Sequence, residues 1–519
     1  MIAPISFQQY GDRVEQWVRR FDAPAPLVSI AAALLALLLL LLFPVSWISN
    51  EEVYFVSARM QAVPATFPAF HAIFDHSRSR IAFDWPLGLL VEALDYERAH
   101  FVARIAMALL YAVSLAVLFR AMRMSAFDAV AVVTLFCVSG QTFVGEEWLF
   151  RGIESKTVAY AAVITAFGLG LQRRWLLASA LSVLATYLHF LVGGYWALAL
   201  IVLAWLDGAS PRLVAKMLGI YLASVAPLAA LVASEQLRYA VPDAPIDLNR
   251  VFALRNAHHV APFTAAWRLW SWSVGLLAAV SAALVLPGVA TRLGRRGWLK
   301  LMVLLLLYVP LAFAVSFVDR HSLWLAKFYM FRPAALTLLL VISTAFWALR
   351  TDRNGGERLV VKLFLCPLIG VFFWTQLQAR VQEHRHPTHQ SLPDLPELVA
   401  AIERESRPDE IVLIEPKNET AYPYVRLPRQ LPRPTLVTKK YDPTTPKDLL
   451  RWHDLMQFRA GLFSRGCQSP LAAPIRLLLV FEPSTLPSVA SCGPIVWQGQ
   501  SAYLIRVDDK WRGGAPASR

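Results

Sequence analysis

The stretch Leu27–Trp47, LVSIAAALLALLLLLLFPVSW, decides the fold, because it carries no charge over a length that matches the roughly 20 residues a helix needs to cross a bilayer. A cleavable leader has a shorter apolar core, roughly 7–15 residues, and a small-residue cleavage site. This run is longer and ends in Phe43-Pro44-Val45-Ser46-Trp47, which offers no such site. It follows a basic amphipathic start with Arg13, Arg19 and Arg20 and is expected to stay attached as a first membrane span.

Working outward, the same kind of run recurs. Apolar segments at 27–48, 101–119, 126–144, 157–172, 175–189, 191–206, 213–233, 267–287, 298–318, 332–349 and 359–378 predict about eleven transmembrane helices. The predicted fold is an all-α polytopic membrane domain over residues 1–378, followed by a small α/β domain over 379–519. Composition agrees: 57% of the 519 residues are hydrophobic and 17% charged, against about 25% charged in a soluble domain. The net charge of +14 comes from 50 Lys and Arg against 36 Asp and Glu. Much of that excess sits in short turns between apolar runs, as membrane orientation demands, so a nucleic-acid partner is set aside.

Those turns also fix a side. With a cytoplasmic N-terminus, the inside turns hold Arg120/Arg123, Arg173/Arg174, Arg212/Lys216, Arg292/Arg295/Arg296 and Arg350/Arg353/Arg358. An odd number of spans then puts the C-terminal domain outside, which is the periplasm if this is the inner membrane of a Gram-negative bacterium. In that domain Cys467 and Cys492 lie on the oxidising side, where a disulfide between them is open to formation; Cys137 and Cys366 fall in spans.

The outer segments concentrate the chemistry. The first begins Asn50-Glu51-Glu52-Val53-Tyr54, two carboxylates at a membrane boundary where desolvation and mutual repulsion favour a general base. Phe67, Phe70 and Phe74 follow at helical spacing and predict a helix lying in the lipid interface. The second outer loop, Gly145-Glu146-Glu147-Trp148-Leu149-Phe150-Arg151-Gly152-Ile153-Glu154-Ser155-Lys156, places Arg151, Glu154 and Lys156 near a helix N-terminus suited to an anion. His189 precedes a Gly193-Gly194 pair, and His258 and His259 lie between the seventh and eighth predicted spans. Arg320 and His321, then Lys327 and Arg332, precede the tenth. Interfacial anchoring competes with substrate binding as an explanation for these cations.

This arrangement resembles the GT-C superfamily of membrane glycosyltransferases, which use polyprenyl-phosphate-linked sugars. The features that carry the resemblance are the cytoplasmic N-terminus, the acidic Asn50-Glu51-Glu52-Val53-Tyr54 motif after span one, a long first outer loop and an outside C-terminal domain. Glu154-Ser155-Lys156, Arg173-Arg174-Trp175, His189 and Gly193 also look like patterns of bacterial members. No Trp-Trp-Asp motif of the oligosaccharyltransferase type is present, which leaves the acceptor open. The resemblance implies transfer of a sugar from a polyprenyl-phosphate donor, with Glu51 or Glu52 as base. It also implies that Arg151, Glu154, Lys156, His189, His258, His259, Arg320, His321, Lys327 and Arg332 bind substrate. No cofactor is required by this scheme, although a divalent metal is compatible with it. A transporter or flippase, and a non-catalytic assembly protein for a surface polysaccharide, are the rival readings.

The tail predicts a helix at 395–405, a buried strand at 411–414, a helix over 446–460 and strands at 476–481 and 502–507. It has no nucleophile elbow or phosphate loop, and reads as an accessory domain covering the outer face or binding acceptor.

Overall fold

The computed structural model describes residues 23–511, except 43–46, 49, 75–76, 291–292, 353–354, 386–391, 417–418, 436–437, 442, 469–470 and 472–473. The basic start with Arg13, Arg19 and Arg20 lies outside the described residues. Its longer helices are α1 (Leu27–Leu42), α2 (Glu51–Ala62), α3 (Ile81–Leu94), α4 (Tyr96–Ala121), α5 (Ala126–Val138), α6 (Ser155–Leu171), α7 (Trp175–Leu188) and α8 (Phe190–Leu206). They continue as α9 (Pro211–Arg238), α10 (Ala266–Val289), α11 (Arg296–Val318), α12 (Ala334–Asp352), α13 (Gly355–Arg385), α14 (Leu395–Glu405) and α15 (Pro446–Arg465).

Each apolar run singled out in the sequence holds a helix among the described residues, but the count of eleven spans is not supported. Among the described residues six helices are long and apolar enough to cross a membrane: Tyr96–Ala121, Pro211–Arg238, Ala266–Val289, Arg296–Val318, Ala334–Thr351 and Phe364–Glu383. The other five, in α1 and α5 to α8, are apolar over only 10–17 residues. At 1.5 Å per residue even the longest of these reaches only about 25 Å, short of a hydrocarbon core of about 30 Å. Chain breakers set the limit. Gly140, at φ +82°, follows the end of α5, His189 turns extended after α7, and Gly208, at φ +80°, follows α8. Several long apolar helices make this a multi-pass membrane protein.

The chain divides into two compact units, one from 1–44, 103–227 and 252–382, the other from 45–102, 228–251 and 383–519. In the first unit, close helix approach depends on small residues. A Cβ on Gly168 of α6 would stand 2.8 Å from the Leu118 backbone nitrogen of α4, and one on Gly193 of α8 would stand 2.2 Å from that of Thr186 in α7. Acids near the basic turns are neutralised there: Asp128 by Arg350 at 2.8 Å, and Asp207 by Arg295 at 3.4 Å.

The second unit contains a four-stranded sheet of β1 (Ile411–Ile414), β2 (Ile475–Val480), β3 (Ile495–Gln498) and β4 (Tyr503–Arg506), in the order β1-β2-β4-β3. β1 and β2 are parallel, whereas β4 runs antiparallel to β2 and β3. Val412, Ile414, Leu477, Leu479 and Leu504 pack under Leu398, Ala401 and Ile402 of α14, the helix predicted at 395–405. Cys467 and Cys492 are joined in a disulfide, their Cα atoms 5.0 Å apart. In the same unit α2 packs on α3, where a Cβ on Gly88 would meet the Ala58 carbonyl oxygen at 2.1 Å. The aromatic stripe differs from its reading as a lipid-facing helix. Phe67, Phe70 and Phe74 are buried, and the last two pack on Tyr441, with ring centroids 5.3 and 4.5 Å away. Protein, not lipid, takes up their apolar surface.

Candidate functional site

The acidic motif opens α2. Acids in a first helical turn complement the positive end of the helix dipole, yet Glu51 and Glu52 are both fully buried, so each also needs specific partners. Each has its own. Glu51 Oε2 accepts from the Ile48 backbone N–H at 3.0 Å and lies 3.1 Å from His100 Nε2, in the first turns of α4. The His100 ring stacks on Trp47 with centroids 4.0 Å apart, and Phe55 meets it edge-on. Trp47 Nε1 in turn donates to Glu97 Oε2 at 2.9 Å.

Glu52 is bound from the C-terminal segment. Arg429 donates through Nε to Glu52 Oε2 at 2.6 Å and through Nη1 to Glu97 Oε1 at 2.6 Å, while its guanidinium lies 4.0 Å over the Trp47 ring. Arg426 adds a second cation, with Nε 3.7 Å from Glu52 Oε1. Burial pushes the Glu52 carboxyl above its usual range, and Arg429 and Arg426 pull against that shift. Tyr422 donates its hydroxyl to the Trp47 carbonyl, and Lys440 reaches Asn50 Oδ1 at 3.1 Å. Tyr422, Arg426, Arg429 and Lys440 therefore meet the start of the first loop and form part of the acidic site itself. Arg426 and Arg429 project from a proline-punctuated stretch, Arg426-Leu427-Pro428-Arg429-Gln430-Leu431-Pro432-Arg433, whose helical part is a single turn, Leu427–Gln430.

A second polar cluster lies in the first unit. Gln141 accepts from the backbone N–H groups of Leu149 and Phe150 at 2.9 and 2.8 Å, folding the loop after α5 back on itself. Gly145 and Glu146 take positive φ to turn it, which suits the glycine and strains the glutamate. Glu147 then enters the protein, where Lys156 Nζ meets Oε2 at 2.8 Å and Arg332 Nε meets Oε1 at 3.1 Å. Burial opposes its charge, but Lys156 and Arg332 hold the carboxyl well below the usual range. Glu154 is the second partner of Lys156, at 3.3 Å. Arg332 Nη1 lies 2.8 Å from His189 Nε2, and the same ring accepts the Val192 backbone N–H at Nδ1, at 3.4 Å, as the N-cap of α8. His259 donates from Nδ1 to the Gly145 carbonyl at 2.7 Å, and burial lowers its pKa.

Of the predicted substrate-binding residues, Glu154, Lys156, His189, His259 and Arg332 thus meet around Glu147. Both cations already hold carboxylates, which makes this a neutral hydrogen-bonded knot. Arg151 is exposed and contributes only its backbone carbonyl, which accepts from Arg104 at 3.2 Å. His258 is exposed beside the His259 ring. Lys327 is exposed over the Trp324 ring at 4.8 Å, the posture of an interfacial anchor. Arg320 and His321 line a separate pocket of about 200 Å³ with Thr264, Asp319 and Met330. Among the described residues no cluster of three or more His, Cys, Asp or Glu is arranged to hold a metal.

His100, Glu97, Arg426 and Arg429 escaped the sequence reading. A charged run, Tyr96-Glu97-Arg98-Ala99-His100, at the N-terminal end of an apolar helix was the available signal for the first two. The evenly spaced arginines between prolines were the signal for the others. No protein family matches this chain, and no curated protein is similar to it.

Proposed function

We propose that this protein is a membrane glycosyltransferase of the GT-C type, moving a sugar from a polyprenyl-phosphate carrier to an acceptor outside the cytoplasm. The observation that carries the reading is the burial of Glu51 and Glu52 beside a histidine and two arginines drawn from distant parts of the chain. Such a site can do the chemistry of a direct displacement at an anomeric carbon. A carboxylate takes the proton of an acceptor hydroxyl, and a guanidinium steadies negative charge on the departing phosphate. Arg426 is the more loosely held of the two cations, its Nε 3.7 Å from Glu52 Oε1 and without a hydrogen bond among the described residues. A phosphate leaving group needs little acid assistance, so one base and a cation suffice.

In this reading the C-terminal domain faces the periplasm, and the Cys467–Cys492 disulfide favours an oxidising compartment. The test uses the full chain in proteoliposomes with a panel of polyprenyl-phosphate-linked hexoses and pentoses. Release of polyprenyl phosphate by the wild type, abolished in the double variant Glu51→Gln/Glu52→Gln, is the expected result. Absence of release from every donor, or full activity of the double variant, refutes the proposal.

A further inference from the structure

The pocket lined by Arg320 and His321 belongs neither to the acidic cluster nor to the knot around Glu147. It opens where two membrane-length helices end, between Ser316 near the C-terminus of α11 and the segment 260–264 that leads into α10. The ends of such helices lie at the membrane boundary. We propose that this pocket holds the phosphate headgroup of an anionic phospholipid, whose chains run along the exposed apolar faces of α10 and α11. The proposal goes beyond the glycosyltransferase reading and does not rest on it.

Three cations stand in or beside the lining. Arg320 lines the pocket itself, its guanidinium 4.0 Å over the Phe317 ring. Arg268 lies 4.9 Å over the Trp267 ring and donates from Nη1 to the hydroxyl of Thr264, a lining residue, at 2.6 Å. Lys327 lies 4.8 Å over the Trp324 ring and follows Ala326 of the lining. Trp267, Phe317 and Trp324 are all exposed. A cation above an exposed ring is by itself the posture of an interfacial anchor. Anchors, however, need no cavity between them. Here Phe263 meets Phe317 edge-on at 5.5 Å and joins Pro262, Leu325 and Met330 in an apolar wall beneath the charges.

Charge decides the occupant. Asp319 also lines the pocket, but its carboxylate organises the loop, accepting from the Trp324 and Leu325 backbone N–H groups at 3.1 and 2.8 Å and from the Ser322 hydroxyl. Glu146 is the other acid, within electrostatic reach of Arg268. Among the described residues no salt bridge joins Arg268, Arg320 or Lys327 to either acid. The cations outnumber the acids and keep their charge for a ligand. A guanidinium fork matches phosphate oxygens, and cations beside a membrane favour anionic headgroups.

Size decides how much of the lipid enters. The cavity of about 200 Å³ falls below the roughly 300–1,000 Å³ that encloses a drug-sized ligand, so it takes a headgroup and leaves the chains outside. Apolar surface is ready for them. Trp270, Val274 and Leu277 form an exposed stripe at helical spacing on α10, and Leu304, Leu307 and Leu311 form another on α11. The two helices pack together through Trp272 and Phe313, whose ring centroids are 6.1 Å apart.

The test is native mass spectrometry of the purified full chain in detergent, titrated with phosphatidylglycerol. A basic residue beside an anionic headgroup is worth about five-fold in affinity, so Arg268→Ala with Arg320→Ala should weaken binding about 25-fold. Arg268→Lys with Arg320→Lys keeps the charge and should retain most of the affinity. Arg212→Ala with Lys216→Ala removes the same charge from α9 and should change nothing. Phosphatidylcholine, whose choline cancels the phosphate charge, should bind about 10-fold more weakly. Ala326→Phe fills the pocket without altering its charge and should also weaken binding, with tryptophan-fluorescence melting to establish that each variant is folded. Unchanged binding in the double arginine variant, an equal loss in the α9 control, or equal affinity for the two phospholipids overturns the proposal. An isoprenyl phosphate that binds more tightly than phosphatidylglycerol, with the same dependence on Arg268 and Arg320, assigns the pocket to a sugar carrier and overturns it too. None of these readouts requires sugar transfer, so they stand apart from the outcome at the acidic site.

Discussion

Replacing Glu147 by glutamine should unfold the first unit more readily than any other single change to its polar cluster. The side chain is 1% exposed, and it bonds Lys156 at 2.8 Å and Arg332 at 3.1 Å, themselves 5% and 9% exposed. Removing one member of a buried ion pair typically costs about 3–5 kcal/mol, chiefly because the remaining charge is left buried without compensation. Lys156 keeps Glu154 at 3.3 Å, so the lower end, about 3 kcal/mol, is expected. In a chain of this size that corresponds to an apparent melting temperature lower by several degrees, on the order of 5 °C. The assay is tryptophan-fluorescence melting of the purified protein in detergent. Glu154→Gln is the internal comparison: it leaves the shorter Lys156–Glu147 contact intact and should cost only about 1 kcal/mol. Acidity supplies a second arm. The folded-state pKa of Glu147 is depressed, so its stabilisation is complete above the ordinary carboxylate value and is lost as pH falls through the folded one. The wild type should therefore lose its advantage over Glu147→Gln in strong acid. A Glu147→Gln variant that melts within about 1 °C of wild type at pH 7, or an advantage that grows as pH falls, refutes the reasoning.

Reduction of the Cys467–Cys492 bridge, or Cys467→Ser with Cys492→Ser, should destabilise the C-terminal domain by about 3 kcal/mol, the loop-closure value for a separation of 25 residues. The shift in its urea midpoint measures this, and a midpoint indifferent to reductant would refute it. Gly193→Ala should lower the melting temperature of the whole protein, because its Cβ would sit 2.2 Å from the Thr186 backbone nitrogen and force α7 and α8 apart. Gly219→Ala, with nothing within 4 Å of the added carbon, serves as the neutral comparison.

The helices were legible because lipid imposes a simple rule: backbone polar groups must be satisfied within the segment, so a long apolar run becomes a helix. Length was less legible. The predicted span at 126–144 ends as a helix at Val138 because Ser139-Gly140 breaks it, and hydropathy averages across that break. The elements of the C-terminal segment were equally plain, since the burial of β1 and the amphipathic face of α14 are both written in local periodicity. Long-range pairing leaves no such trace. Nothing in the first loop indicates that Glu52 will meet Arg429, because the partner of a buried charge is chosen by the fold and not by neighbours in the chain.

What the sequence does offer is a constraint on supply. A carboxylate that ends up fully buried must be met by a cation or a donor, and a basic membrane protein places most of its arginines in cytoplasmic turns, where topology already accounts for them. Arginines outside those turns therefore need another explanation. Arg426 and Arg429 stand in a proline-rich stretch with no apolar span beside it and no turn to orient, so they were among the unassigned cations available for the unassigned acids Glu51 and Glu52. The cations expected to bind substrate split differently, Lys156 and Arg332 being paired with Glu147 and Lys327 with an aromatic ring. Matching surplus acids against surplus cations, after subtracting those that orientation and anchoring explain, would have drawn the C-terminal segment into the site before any coordinates did.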